Sequence, residues 1–202
     1  MKYFLGLVGF AYLLGSIPTG LVVARLMGGP DPRQAGSGNV GAANLFRLLG
    51  RNAGVFTFLG DTLKGALPVF LAVYWLTPLG AWHDAAVAAV GLAAVLGHIF
   101  PVFLKFQGGK AVASFIGAFL MLTPVPLLAA LVVFVIVVAA TRQISMGSIV
   151  ASGTLPLAVW LVLHPPAPVL WASAVAAIFV IYRHRANIGR IRAGTEHVFR
   201  FK

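Results

Sequence analysis

The sequence contains no cysteine, and its 202 residues include only four acids, Asp31, Asp61, Asp84 and Glu196. The first absence excludes disulfide frameworks, thiolate metal sites and thiol nucleophiles. The second excludes a carboxylate cage: the acids are scattered and no His-x-Glu-x-x-His pattern occurs, so neither a metal nor a cofactor is implied. Charge of either sign is scarce, 9% of residues where an ordinary soluble domain carries about a quarter. A chain so poor in charge and 60% hydrophobic cannot hide its apolar surface in a core surrounded by water. The solvent it requires is lipid.

What is abundant is apolar sequence of spanning length. Runs interrupted by Gly, Pro and charge predict seven helices: Tyr3 to Leu26, Ala53 to Leu76, Ala85 to Leu104, Ala111 to Leu122, Leu127 to Ala140, Ile149 to Leu163 and Val169 to Tyr182. The first run is too long for a signal peptide and reads as a retained helix. Ala111 to Ala140 reads as two helices broken at Thr123-Pro124-Val125-Pro126, because one bent helix would reverse the orientation of everything after it. The 23 glycines and the alanine-rich stretches suit close helix packing in lipid. The expected architecture is therefore all-α, a polytopic bundle of seven transmembrane helices forming one domain over residues 1–202.

The net charge of +11 would suit a nucleic-acid binder, but topology explains it better, and no nucleic-acid partner is implied. With the N-terminus outside, the inner segments hold Arg25, Arg33, Arg47 and Arg51, then Lys105 and Lys110, then Arg142. The tail adds Arg183, Arg185, Arg190, Arg192, Arg200 and Lys202. Of the 15 Lys and Arg, only Lys2 and Lys64 fall elsewhere, so each loop obeys the positive-inside rule and the C-terminus is cytoplasmic.

Four polar stretches suggest chemistry. In Gly36-Ser37-Gly38-Asn39-Val40-Gly41-Ala42-Ala43-Asn44, alternating glycines allow backbone N–H groups to converge on an anion. Ser37 and Asn39 add side-chain donors, and Arg47 can grip a phosphate with two bonds. Asp61 and Lys64 share a helix face inside a span, where they either serve function or neutralise each other to tie helices together. Gly97-His98-Ile99-Phe100-Pro101 precedes Gly108-Gly109-Lys110, which would offer free N–H groups, a helix dipole and an ammonium to one anion. Ala111 stands where a Walker motif needs Ser or Thr, so nucleotide hydrolysis is not expected. Ser145 and Ser148 are expected in the loop before the sixth helix, and His184 and Asn187 lie one turn apart in Arg183-His184-Arg185-Ala186-Asn187-Ile188.

Together with Leu14-Gly15-Ser16-Ile17-Pro18, Asp61-Thr62-Leu63-Lys64-Gly65 and Gly194-Thr195-Glu196-His197, these motifs resemble in order and spacing the bacterial acyl-phosphate:glycerol-3-phosphate acyltransferases, the PlsY family. Ala43 departs from the Thr that the family commonly has, and Gln143-Ile144 from an aromatic and Val. The resemblance implies seven spans with an outer N-terminus, in the bacterial inner membrane, and an active site on the cytoplasmic side. It implies transfer of a fatty acyl group from acyl phosphate to the 1-hydroxyl of glycerol 3-phosphate, giving lysophosphatidic acid and phosphate in phospholipid synthesis. By likeness, Ser37, Arg47, Lys110 and Asn187 would hold glycerol 3-phosphate, with Gly108 and Gly109 shaping the site and Gly38, Asn39, Asn44 and Lys64 contributing to binding. Ser148 and His184 would sit near the acyl phosphate, making His184, Ser148 and Asn187 the catalytic set. Either the leaving phosphate or His184 takes the hydroxyl proton. A small anion transporter would also show a basic cavity and broken helices. Against it, the outer loops carry no Lys or Arg and no inverted repeat is visible.

Overall fold

The computed structural model describes residues 2–198; Arg200 and Lys202, counted above in the basic tail, lie outside them. Among the described residues all regular structure is helical. The α-helices are α1 (Lys2–Ser16), α2 (Thr19–Leu26), α3 (Ala42–Leu49), α4 (Arg51–Trp75), α5 (His83–Ile99), α6 (Val112–Leu122), α7 (Pro124–Thr141), α8 (Ile144–Leu163), α9 (Ala167–Arg183) and α10 (Arg185–Arg192), with 3₁₀ turns at Thr77–Trp82 and Val102–Leu104. They form two compact units, the first ending at Leu122 and the second beginning at Thr123.

Lipid as solvent inverts the usual partition of side chains, and α4 shows it. Its buried residues are Ala53, Gly54, Thr57, Asp61, Lys64, Gly65, Pro68, Val69 and Ala72, most of them small or polar. Leu63 is 60% exposed while Asp61 beside it is 2% exposed, and Phe56, Leu59, Phe70 and Tyr74 are exposed too. In water that arrangement would be unfavourable on both faces; in hydrocarbon it is favourable on both. The exposed face of α7, with Leu128, Val132, Val135 and Ile136, follows the same logic.

In the first unit α4 packs on α6, α3, α5 and α1, and α1 packs on α5. The two principal contacts are reciprocal and glycine-lined. A Cβ added at Gly65 of α4 would strike the Ser114 carbonyl of α6, and one at Gly117 of α6 would strike the Thr62 carbonyl of α4. Gly15 of α1 and Gly97 of α5 stand in the same relation to the carbonyls of Ala94 and Tyr12. Backbone therefore meets backbone, and dispersion with Cα–H···O contacts replaces the hydrophobic drive that lipid does not provide. In the second unit α8 packs on α7 and α9, and α10 reaches both α8 and α9.

Among the described residues, four helical runs are long and apolar enough to cross a membrane, Arg51–Trp75, Thr77–Leu104, Pro124–Thr141 and Ile144–Leu163. Two further runs qualify as bent pairs, Tyr3–Ser16 with Thr19–Leu26 at 43° and Ala167–Arg183 with Arg185–Arg192 at 56°, and Val112–Leu122 is shorter. The expected break at Thr123 is present, since α6 stops at Leu122 and α7 starts at Pro124. Three local expectations are corrected. The first span is interrupted at Ile17-Pro18, where the proline has no N–H to continue the ladder. The segment between α2 and α4, expected as a loop, holds a helix, α3, which carries Asn44 and Arg47. The sixth helix begins at Ile144, not Ile149, so Ser145 and Ser148 lie in its first turns and not in a loop.

Candidate active site

The glycine-rich segment closes around Asn44. This side chain is 1% exposed; its Oδ1 accepts the Ser37 N–H at 2.9 Å, and its Nδ2 donates to the carbonyls of Pro32, Ala35 and Asn39 at 3.0, 3.1 and 2.9 Å. Gly36 takes φ +62°, and a Cβ there would strike Asn44 Oδ1, so glycine is needed on both counts. The Gly38 N–H goes to Ala35 O at 3.1 Å, and the Gly41 N–H to Asn39 Oδ1 at 2.8 Å. The expected ring of N–H groups open to an anion is thus corrected: the N–H groups of Ser37, Gly38 and Gly41 hold the loop's own shape. Side chains make the donor surface instead. Arg47, exposed on α3, donates from Nη2 to Ser37 Oγ at 3.2 Å. Arg33 is committed elsewhere, paired with Asp31 at 2.5 Å, and its hydrogen bonds hold the Asp31 carboxyl down to about 2.

The second stretch folds back on the end of α5. The N–H groups of Gly108 and Gly109 donate to the carbonyls of Ile99 and His98, both at 3.2 Å, so they too are engaged and not directed at an anion. Lys110 follows immediately. Against Gly109 lies a buried polar cluster that reaches it through His98: Lys64 Nζ meets Asp61 Oδ1 at 2.9 Å and donates to the Ile17 carbonyl at 2.7 Å, at the break between α1 and α2. His98 Nδ1 is 3.0 Å from Ser114 Oγ and 3.7 Å from Asp61 Oδ1. Ser16, Pro18, Val40, Asp61, Lys64 and Gly108 line a narrow cleft here whose volume, about 10 Å³, is room for roughly one water molecule. Lys64 therefore ties α4 to the broken first span.

The second unit carries the remaining residues. Glu196, with 4% of its side chain exposed, accepts from Ser145 Oγ at 2.8 Å and Asn187 Nδ2 at 2.7 Å on Oε1, and from Arg190 Nε at 2.7 Å on Oε2. Burial pushes this carboxyl up, but the bonds from Asn187, Ser145 and Arg190 outweigh it and leave it below its ordinary value. Because the carboxylate fixes the Asn187 nitrogen, its Oδ1 is oriented away, buried and without a hydrogen-bond partner among the described residues. An orphan acceptor of this kind costs about 1–3 kcal/mol. His184, 2% exposed at the junction of α9 and α10, directs Nδ1 to the Val180 carbonyl at 2.8 Å, which makes Nε2 the acceptor of the neutral ring. Ser148 donates its hydroxyl to the Ile144 carbonyl at 2.9 Å.

A protein-family model described as "Glycerol-3-phosphate acyltransferase" matches residues 5–194. The chain belongs to the glycerol-3-phosphate acyltransferase family. The glycerol-3-phosphate acyltransferase of Geobacter sulfurreducens is 50% identical over 194 residues, 96% of each chain, and that of Halorhodospira halophila is 47% identical over 193 residues, 94% of this chain and 93% of the relative. A crystal structure of PlsY (YgiH), an integral membrane glycerol 3-phosphate acyltransferase in its glycerol 3-phosphate form, superposes with a TM-score of 0.90 at 40% identity, covering 98% of this chain and 96% of that one. The lysophosphatidic acid form of that enzyme gives 0.87. With its apolar helices, this membership makes the protein a multi-pass membrane acyltransferase of phospholipid synthesis. Within the first unit the structure brings together Ser37 with Arg47, and Lys64 with the segment that carries Gly108. Within the second it joins Asn187 to Glu196. Ser114 escapes sequence reading because a lone serine on an apolar helix carries no motif; its only signal is its position four residues after Lys110.

Proposed function

We propose that the chain transfers a fatty acyl group from acyl phosphate to the sn-1 hydroxyl of glycerol 3-phosphate, giving lysophosphatidic acid and inorganic phosphate. The reaction takes place at the cytoplasmic face of a bacterial inner membrane, which the chain crosses seven times from an outer N-terminus. The observation that carries this reading is the Ser37–Arg47 pair: an exposed guanidinium at 3.2 Å from a hydroxyl, on a loop braced from within by Asn44, is a donor surface suited to a phosphate. Four long spans, two bent pairs and short α6 supply seven apolar segments. The segments that connect them alternate between basic and free of Lys and Arg, which supports the orientation.

In this reading Arg47 and Lys110 bind the phosphate of glycerol 3-phosphate, and Ser37 donates to it. Gly38, Asn39 and Asn44 shape the first loop, and Gly108 and Gly109 allow the second to lie on α5. By the family likeness, Asn187 contributes to glycerol 3-phosphate binding, and Ser148 and His184 serve the acyl phosphate. The donor is a mixed anhydride with a good leaving group, so no covalent enzyme intermediate is required. The hydroxyl oxygen bonds to the acyl carbon and the carbon–oxygen bond to phosphate breaks. The departing phosphate takes the proton, and donors near the carbonyl hold the intermediate oxyanion.

The test is phosphate release by purified protein given palmitoyl phosphate and glycerol 3-phosphate. Release that needs both substrates, with kcat/KM for glycerol 3-phosphate falling about 100-fold in Arg47→Ala and Lys110→Ala, is expected. Uptake of glycerol 3-phosphate into sealed vesicles without phosphate release would sink the reading in favour of transport. In the same assay, His184→Gln at saturating substrate retains a measurable rate if phosphate is the proton acceptor; loss of nearly all turnover together with its pH dependence would make His184 the base.

A further inference from the structure

The buried charges of the first unit have no part in the chemistry above, yet ionisable side chains at such depth are retained for a reason. Asp61 and Lys64 come from α4, His98 from the last turn of α5 and Ser114 from α6, and they meet as one cluster. The His98 ring touches Ser114 and faces Asp61, which Lys64 holds in turn. One edge of that ring faces outward from the cluster: a Cβ added at Gly109 would meet Nε2 first, then Cδ2 at 3.0 Å and Cε1 at 3.4 Å. The backbone makes the same connection, since the Gly109 N–H donates to the His98 carbonyl at 3.2 Å. The chain around Gly109 is strained, with Lys105, Phe106 and Ala111 at φ values of 51°, 64° and 60°, where non-glycine residues are disfavoured. Such backbone persists only where its surroundings over-determine it, and at Gly109 those surroundings include the His98 ring.

We propose that His98, with its ring set by Ser114 and Asp61 and with Asp61 held by Lys64, is a positioning residue for Lys110. The imidazole is the floor that fixes Gly109, and so fixes where the next residue presents its ammonium to the phosphate of glycerol 3-phosphate. The inference rests on Lys110 binding that phosphate, and it assigns Asp61, Lys64 and Ser114 to substrate affinity through His98 and not to contact with substrate. Shifting an ammonium by even part of an ångström weakens the phosphate bond without touching the acyl donor.

The experiment compares the full-length protein with His98→Asn, which keeps a polar group toward Ser114 but removes the edge beneath Gly109, and with Ser114→Ala. The KM for glycerol 3-phosphate should rise about tenfold in His98→Asn and less in Ser114→Ala, with kcat and the KM for palmitoyl phosphate within about twofold of wild type. Unchanged KM values, or kcat and both KM values moving together with a lowered melting temperature, would reduce the cluster to a helix clamp and overturn the proposal. If His98→Asn does not fold, Ser114→Ala and Asp61→Asn carry the same comparison. Calorimetric binding of glycerol 3-phosphate alone separates the two levels of argument. An inactive wild type whose binding is still weakened tenfold by His98→Asn defeats acyl transfer and leaves the positioning role standing. An active wild type matched by every variant defeats only the positioning role.

Discussion

Three donors converge on the Glu196 carboxylate, and only Arg190 among them brings a charge. They draw together the first turn of α8, the body of α10 and the tail, so this side chain sets the position of Asn187. The folded carboxyl is held below its ordinary value, so its stabilising contribution is complete at neutral pH and drains away as the pH falls below about 4. Glu196→Gln keeps the shape but replaces one acceptor oxygen with a donor and leaves Arg190 without its counter-ion. It should cost about 2 kcal/mol, seen as a melting temperature lower by about 5 °C at pH 7. The variant should also lack the Glu196 share of acid destabilisation, so the two melting curves should approach each other on acidification. A constant gap from pH 7 down to pH 3 would contradict the assigned charge.

At the scale of elements, the reciprocal contacts of α4 with α6 and of α1 with α5 are made by glycines whose missing side chains let carbonyls lie against the neighbouring helix. Ser114 of α6 meets His98 of α5, which in turn lies 3.7 Å from Asp61 of α4, so helix packing and the buried polar cluster are one design. Gly117→Val should therefore destabilise the fold by about 2–3 kcal/mol, since the branched side chain would have to displace the Thr62 backbone of a helix that is fixed along its whole length. Gly9→Ala on α1, where an added Cβ meets nothing within 4 Å, should be neutral or slightly stabilising. Thermal unfolding in detergent separates the two, and equal effects would mean that close backbone approach does not govern this packing. The same scale explains the broken first span: Pro18 ends the ladder, and Lys64 supplies a donor to the Ile17 carbonyl at the break.

At the scale of the whole molecule, the distribution of charge is the ground for the proposed topology, and the absence of cysteine makes that proposal directly testable. Single cysteines at Ala81 and Pro165, in segments without Lys or Arg, should react with a membrane-impermeant thiol reagent on intact cells. Cysteines at Gln34 and Thr141 should react only after lysis. Equal labelling of both pairs from outside would reject the outer N-terminus and the seven crossings together. The sequence by itself determined the membrane class, the proline break before α7 and the polar motifs, because hydropathy, proline chemistry and charge counts are local properties that lipid reads residue by residue. It also carried the family, because motif order survives where no single motif is specific. It could not tell that the N–H groups of Ser37, Gly38 and Gly41 turn to Asn44, Ala35 and Asn39 of the loop itself, that Ser145 and Ser148 open a helix, or that Ser114 meets His98. Those are pairings between residues distant in the chain, and which donor meets which acceptor is decided only when packing removes water as the competing partner.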